Sequence, residues 1–189
     1  VIAKSTFIYF STTDINEKEL NWYERLLKSV LYYVNHFIES PQEDAFNLLN
    51  EAIDNAFHKN GWFTRPEVEF ALAYWAKELN KENLNEWLNH YTFNSENPKT
   101  VGLILAGNIP LVGFHDVLST ILSGNKAVIK CSSNDEILIP FLLQWISDNT
   151  EGFDKHFSVE RGLMKGYDAV IATGSNNSAR HFEHYFKNV

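Results

Sequence analysis

Three short polar stretches carry the residue types from which a nucleotide-handling site can be built: Gly107-Asn108-Ile109-Pro110, Lys130-Cys131-Ser132-Ser133 and Thr173-Gly174-Ser175-Asn176. Each follows an apolar run of strand length and leads, directly or nearly so, into a helical pattern. A helix N-terminus presents free N–H groups and a partial positive charge, so a phosphate or pyrophosphate is a natural occupant. Gly174 permits close backbone approach, and Lys130 can hydrogen-bond a sugar hydroxyl or pair with a phosphate. Taken singly, such loops are ordinary helix caps and a solvated lysine. Their joint occurrence is what points to a site. Neither Gly-x-Gly-x-x-Gly nor the P-loop ending Gly-Lys-Ser/Thr follows any of the runs, so a nucleotide has to be held some other way.

Other reactive residue types make weaker cases. Cys131 is the sole thiol. A nucleophilic cysteine needs a depressed pKa, which Lys130 or the following helix can supply, but the commoner fate of such a thiol is inert packing. His181 and His184 lie three apart with no further metal ligand in sight, which reads as a solvated helix face and no metal site. His115 and Asp116 are adjacent on a helix, where neighbours point in different directions, and this argues against a catalytic dyad.

The elements that must position these residues are legible from periodicity. Val101-Gly102-Leu103-Ile104-Leu105-Ala106 reads as a strand buried on both faces. After Pro110, the residues Leu111, Phe114, Leu118, Ile121 and Leu122 recur on one helix face, which Gly124-Asn125 terminates. Ala127-Val128-Ile129 is a second strand, ending on Lys130. Strand, helix and strand with short links make a βαβ unit, whose strands are parallel. A further helix carries Ile137, Leu138, Phe141, Leu142, Trp145 and Ile146; Ser133 with Glu136 is a candidate capping box, against which Pro140 implies a kink or a later start. Phe157-Ser158-Val159 is a candidate short strand, and Asp168-Ala169-Val170-Ile171-Ala172 a clearer one, followed by a helix with Ala179, Phe182 and Phe186. In an open parallel sheet the three polar loops lie along the carboxyl edge and can converge.

The first half is helical. Asn16 caps a stripe over residues 17–38, after a strand-like Thr6-Phe7-Ile8-Tyr9. Pro41 opens a helix with Phe46, Leu49, Ile53 and Phe57 that stops at Asn60-Gly61. Pro66 opens another with Val68, Leu72, Trp75 and Leu79, and a short helix spans 82–91. Its aromatic residues read as core. The expected organisation is a mainly helical segment at 1–93 and the first part of a nucleotide-binding α/β domain at 94–189, joined by the turn-rich Asn94-Ser95-Glu96-Asn97-Pro98-Lys99.

A net charge of -8 over 189 residues argues against a broad nucleic-acid surface. One cysteine rules out an internal disulfide and any multi-thiolate metal site, which suits a cytoplasmic location, and no apolar run approaches the length of a membrane span. A start at Val1 and an end just after an apparent helix suggest a piece of something longer.

The order and approximate spacing of Gly107-Asn108-Ile109-Pro110, Gly124-Asn125-Lys126-Ala127-Val128-Ile129-Lys130 and Ala172-Thr173-Gly174-Ser175 resemble the aldehyde dehydrogenase superfamily. The wording Ala106-Gly107-Asn108-Ile109-Pro110 after an aromatic-rich helical region is most similar to its acyl-CoA reductase branch, the LuxC-like fatty-acyl reductases. The motifs cover Thr100 to the C-terminus; the preceding helices match in general character. The resemblance implies a Rossmann-like sheet and reduction of an acyl-CoA or acyl-protein thioester to an aldehyde. It implies Asn108 as donor to the oxyanion of a thiohemiacetal on a cysteine from a later segment. Ala106, Gly107, Lys130, Ser132, Ser133, Thr173, Gly174 and Ser175 are the implied cofactor contacts. Many NAD-preferring relatives have a glutamate three positions after the lysine. Here that position is Ser133, so NADP(H) is favoured over NAD(H). The general base is not identifiable, and these residues alone are expected to be inactive. Assembly into a homo-oligomer through segments not seen here is an open expectation. Two alternatives stand beside this one: an oxidative aldehyde dehydrogenase, and a nucleotide-binding or partner-docking module without chemistry.

Overall fold

The computed structural model describes residues 46–91 and 97–174, together with Phe182, His184 and Phe186. The strand at Thr6-Phe7-Ile8-Tyr9, the helix at 17–38 with its Asn16 cap, the Pro41 start, Ser175, His181 and most of the final helix lie outside the described residues.

Among the described residues, five α-helices and four strands follow in the order α1 (Asn47–Lys59), α2 (Arg65–Glu78), α3 (Lys81–Leu88), β1 (Thr100–Ile104), α4 (Phe114–Leu122), β2 (Lys126–Lys130), α5 (Leu138–Asn149), β3 (Phe157–Val159) and β4 (Ala169–Ala172), a 3-10 turn at Phe153–His156 preceding β3. The strands form one sheet in the order β3-β2-β1-β4. All three pairings are parallel, Leu103 standing opposite both Ile129 and Ile171. The chain therefore leaves β1 toward β2 and β3, then returns to the other side of β1 as β4.

The apolar run at β1 is buried on both faces, as its unbroken hydrophobicity requires. Val101 and Leu103 join the main core. Gly102 is covered from the opposite side, where an added Cβ would sit 3.3 Å from the Tyr167 ring and 3.4 Å from the Met164 methyl. Pro140 falls in the first turn of α5, which begins at Leu138 without the Ser133 cap. There its missing N–H costs nothing, because first-turn amides have no partner within the helix.

One core of buried side chains runs from Phe46 through α1, α2, β1, α4, β2 and α5 to Phe153. The helical portion is thus packed into the α/β portion. Arg65 ties α1 to α2, its guanidinium donating to Asn50 and to Asp54 at 2.8 Å each. Lys59 at the end of α1 reaches Glu136 at 3.2 Å, just before α5. Trp75 of α2 meets Phe114 of α4 edge to face, with ring centres 5.2 Å apart.

The aromatic residues expected as core in the first half are only partly so, since Trp62, Phe70 and Tyr74 are exposed, and two expected faces differ in detail. Phe57 is 46 % exposed, and the buried face of α1 is instead Leu49, Ala52, Ile53 and Ala56. Leu111 is not part of the helix after Pro110: it precedes α4 in a left-handed backbone conformation, with φ 58°. It is buried all the same. No helix among the described residues is long and apolar enough to cross a membrane.

Candidate functional site

A parallel sheet offers a ligand crevice where the chain reverses its direction of travel across the sheet, at the carboxyl ends of the strands. Here that point lies between β1 and β4. Half-buried Ala106, buried Gly107 and exposed Asn108 and Ile109 follow β1, while exposed Thr173 and Gly174 follow β4. The Thr173 amide donates to the Ile104 carbonyl at 3.0 Å, which fixes the start of the second loop beside the first.

The loop after β2 is locked to the loop after β1. The Leu105 amide donates to the Lys130 carbonyl at 3.0 Å. A Cβ on Gly107 would fall 2.5 Å from the Ser132 Cβ and 2.7 Å from its Oγ, so only glycine allows this approach. The third tie is Asp135, 2 % exposed, whose Oδ2 accepts from the Leu111 amide at 3.2 Å. Leucine at positive φ is disfavoured by roughly 1–2 kcal/mol because Cβ crowds the carbonyl, and strain of this kind collects at functional sites. The other carboxylate oxygen, Oδ1, is buried and has no hydrogen-bond partner. Burial pushes the Asp135 carboxyl up from 3.8 to about 6, against the downward pull of the Leu111, Leu138 and Ile139 amides.

Lys130, at the end of β2, extends its ammonium group to the Gly162 carbonyl at 3.1 Å, and so borders the connection that leads from β3 to β4. Ser132 accepts from the Asn134 amide at 3.3 Å, and Ser133 stands exposed at the rim. Cys131 packs against the core. Desolvation, then the Asp135 and Glu136 carboxylates, push its thiol up from 9.0 to about 12. Only the thiolate is nucleophilic, so alkylation of native Cys131 at pH 8 is expected to be at least about 100-fold slower than in the denaturant-unfolded chain. Stopped-time iodoacetamide labelling measures this, and equal rates would restore Cys131 as a candidate nucleophile.

The switch point between β1 and β4 is also crossed by side chains. Thr173 Oγ1 donates to Asp116 Oδ2 at 2.8 Å, joining the loop after β4 to the first turn of α4. The expected divergence of His115 and Asp116 does not hold at their tips. His115 Nδ1 lies 3.6 Å from Asp116 Oδ1. That separation is an ion pair when the histidine is protonated and is too long for a hydrogen bond. The His115 ring leans on Trp87 of α3, centres 5.6 Å apart. No cluster of three or more metal-ligating side chains occurs among the described residues.

The structure thus sets Gly107 against Ser132 and the Lys130 carbonyl against the Leu105 amide, and brings Thr173 to the same sheet edge through Ile104 and Asp116. Asp135 and Asp116 are the residues that motif reasoning passes over.

An open parallel sheet with polar loops on both sides of its switch point is the α/β arrangement in which ligands commonly bind at the carboxyl edge. The sequence model of the family described as acyl-CoA reductase (LuxC) matches residues 47–187, and the chain belongs to that family. The match takes in α1 to α3 as well as all three loops. The long-chain acyl-protein thioester reductase of Aliivibrio fischeri is 30 % identical over 112 residues, which is 51 % of this chain and 23 % of that relative. The chain therefore aligns with about a quarter of the length of the curated relative it matches.

Proposed function

We propose that these residues serve a reductase that converts a long-chain acyl thioester, carried by coenzyme A or by a protein, to the aldehyde with NADPH. The observation that carries the reading is the family match across a region whose three polar loops meet at one sheet edge. In this reading Asn108, exposed beyond β1, donates its side-chain amide to the oxyanion that develops on the thioester carbon. The acyl-bearing cysteine is not Cys131, whose burial keeps it protonated.

NADPH, when bound, supplies the hydride. The residues present fit such a group. Exposed Gly174 admits a pyrophosphate against the backbone, Lys130 at the end of β2 offers a cation that now rests on the Gly162 carbonyl, and exposed Ser133 leaves its position without the carboxylate that would repel a 2'-phosphate. Ala106, Gly107 and Ser132 form the floor, held rigid by the contact between Gly107 and Ser132. Ser175 belongs to the same proposed pyrophosphate loop.

Titration of the full-length protein with NADPH and NADH, followed by tryptophan quenching, tests the cofactor assignment. Saturable binding of both, tighter for NADPH, is expected. Tighter NADH binding would refute the Ser133 reasoning, and an absence of saturable binding would refute the site. Steady-state aldehyde formation from a long-chain acyl-CoA by the same protein tests the reaction.

A further inference from the structure

We infer that Asp135 is the positioning residue of the Asn108 turn: its buried carboxylate clamps Leu111 in a left-handed backbone conformation and so fixes where Asn108 stands over the end of β1. The role given to Asn108 rests on the function proposed above; the clamp rests on geometry alone.

Four observations support it. The hydrogen bond from Leu111 crosses between two loops that are 24 positions apart in sequence, and the same carboxylate also faces the Leu138 and Ile139 amides at the head of α5. Leu111 is non-glycine at φ 58°, a conformation that does not persist without a partner to hold it. The turn it ends is short and constrained at both ends. Gly107 is wedged against Ser132 on one side, while the Phe114 amide donates to the Leu111 carbonyl at 3.0 Å on the other. Asn108 and Ile109 between them are exposed, so no burial of their own orients them. Finally, Oδ1 of Asp135 is buried without a partner.

The test compares Asp135→Ala, Asp135→Asn and the double variant Asp135→Ala/Leu111→Gly in the full-length protein. Asparagine keeps an oxygen for the Leu111 amide, and glycine takes positive φ without a clamp. For Asp135→Ala, kcat for acyl thioester reduction is expected to fall roughly 10- to 100-fold with little change in cofactor KM, the effect of a misplaced reacting group. Asp135→Asn should retain most of the activity, and Leu111→Gly should restore much of what Asp135→Ala removes. A general packing defect would instead be worsened by the added glycine. If Asp135→Ala yields no folded protein, the double variant is expected to fold and turn over. A double variant no better than the single one in either yield or kcat overturns the inference. Crystal structures of the Asp135 variants supply a readout independent of the reaction. Leu111 is expected to leave the left-handed region in the alanine variants that retain leucine, and to stay in it with asparagine. Leu111 and Asn108 unmoved in Asp135→Ala would also overturn the inference. Wild-type protein that reduces no acyl thioester would sink the proposed function while leaving this backbone comparison decisive.

Discussion

Asn108→Ala in the full-length protein is expected to lower kcat for acyl thioester reduction by about 10²- to 10³-fold, the cost of removing one preorganised oxyanion donor. The substitution leaves the packed parts of the turn alone, because Asn108 is exposed whereas Gly107, Pro110 and Leu111 around it are buried. Cofactor affinity is therefore expected to change little. The split between kcat and KM is the informative quantity, since an interaction made only in the transition state lowers kcat, and one made equally in the bound ground state raises KM. A large loss of NADPH affinity with kcat preserved would move Asn108 from the reacting carbonyl to the cofactor.

The second large effect is on stability. Asp135 holds its proton more tightly folded than unfolded, with a folded value of about 6 against 3.8. The folded state therefore binds more protons between those two values. The favourable contribution is complete below pH 3.8 and is lost as pH rises through about 6. The loss is on the order of 3 kcal/mol, from 1.36 kcal/mol for each unit. Asp135→Asn has nothing to titrate at this position. The difference in unfolding free energy, wild type minus Asp135→Asn, is expected to fall by that amount between pH 3.8 and pH 7.5, while the other carboxylates cancel in the comparison. Urea unfolding at several pH values measures it. Parallel stability curves for the two proteins would show that Asp135 is charged in the fold at no cost.

Strand and helix order was readable because burial dictates composition. The unbroken run at β1 and the alternation in β2, where Ala127 and Ile129 are buried and Lys126 is exposed, both report which faces the sheet covers. Periodicity reports burial only approximately and backbone angle not at all. Leu111 keeps helical spacing with Phe114 and Leu118 and is as buried as they are, yet its φ is 58°. On α1, attention to bulky residues selected Phe57, whereas the face in contact uses Ala52 and Ala56, whose small side chains let neighbouring elements approach. For the candidate site, the three loops were recognisable from glycine, asparagine and lysine at strand ends. The carboxylates that brace them were not. Asp135 acts across 24 positions and Asp116 across 57, and no local pattern encodes a contact at that range. His115 and Asp116 show the same limit at short range, since Cα directions did not foretell where their side-chain tips would meet.

The hydrogen bond from Thr173 to Asp116 has a consequence for ligand exchange. A hydroxyl has one proton to donate, and at 2.8 Å that proton is already engaged by a carboxylate. An anion that bound there through the Thr173 hydroxyl would have to outcompete this resident acceptor, close to a negative charge. Affinity at that point is therefore a difference between two hydrogen bonds, not the full value of one. The same exchange, run backwards, helps the anion to leave: as it departs, Asp116 recovers its donor, and no unsatisfied hydroxyl remains to hold the ligand in place.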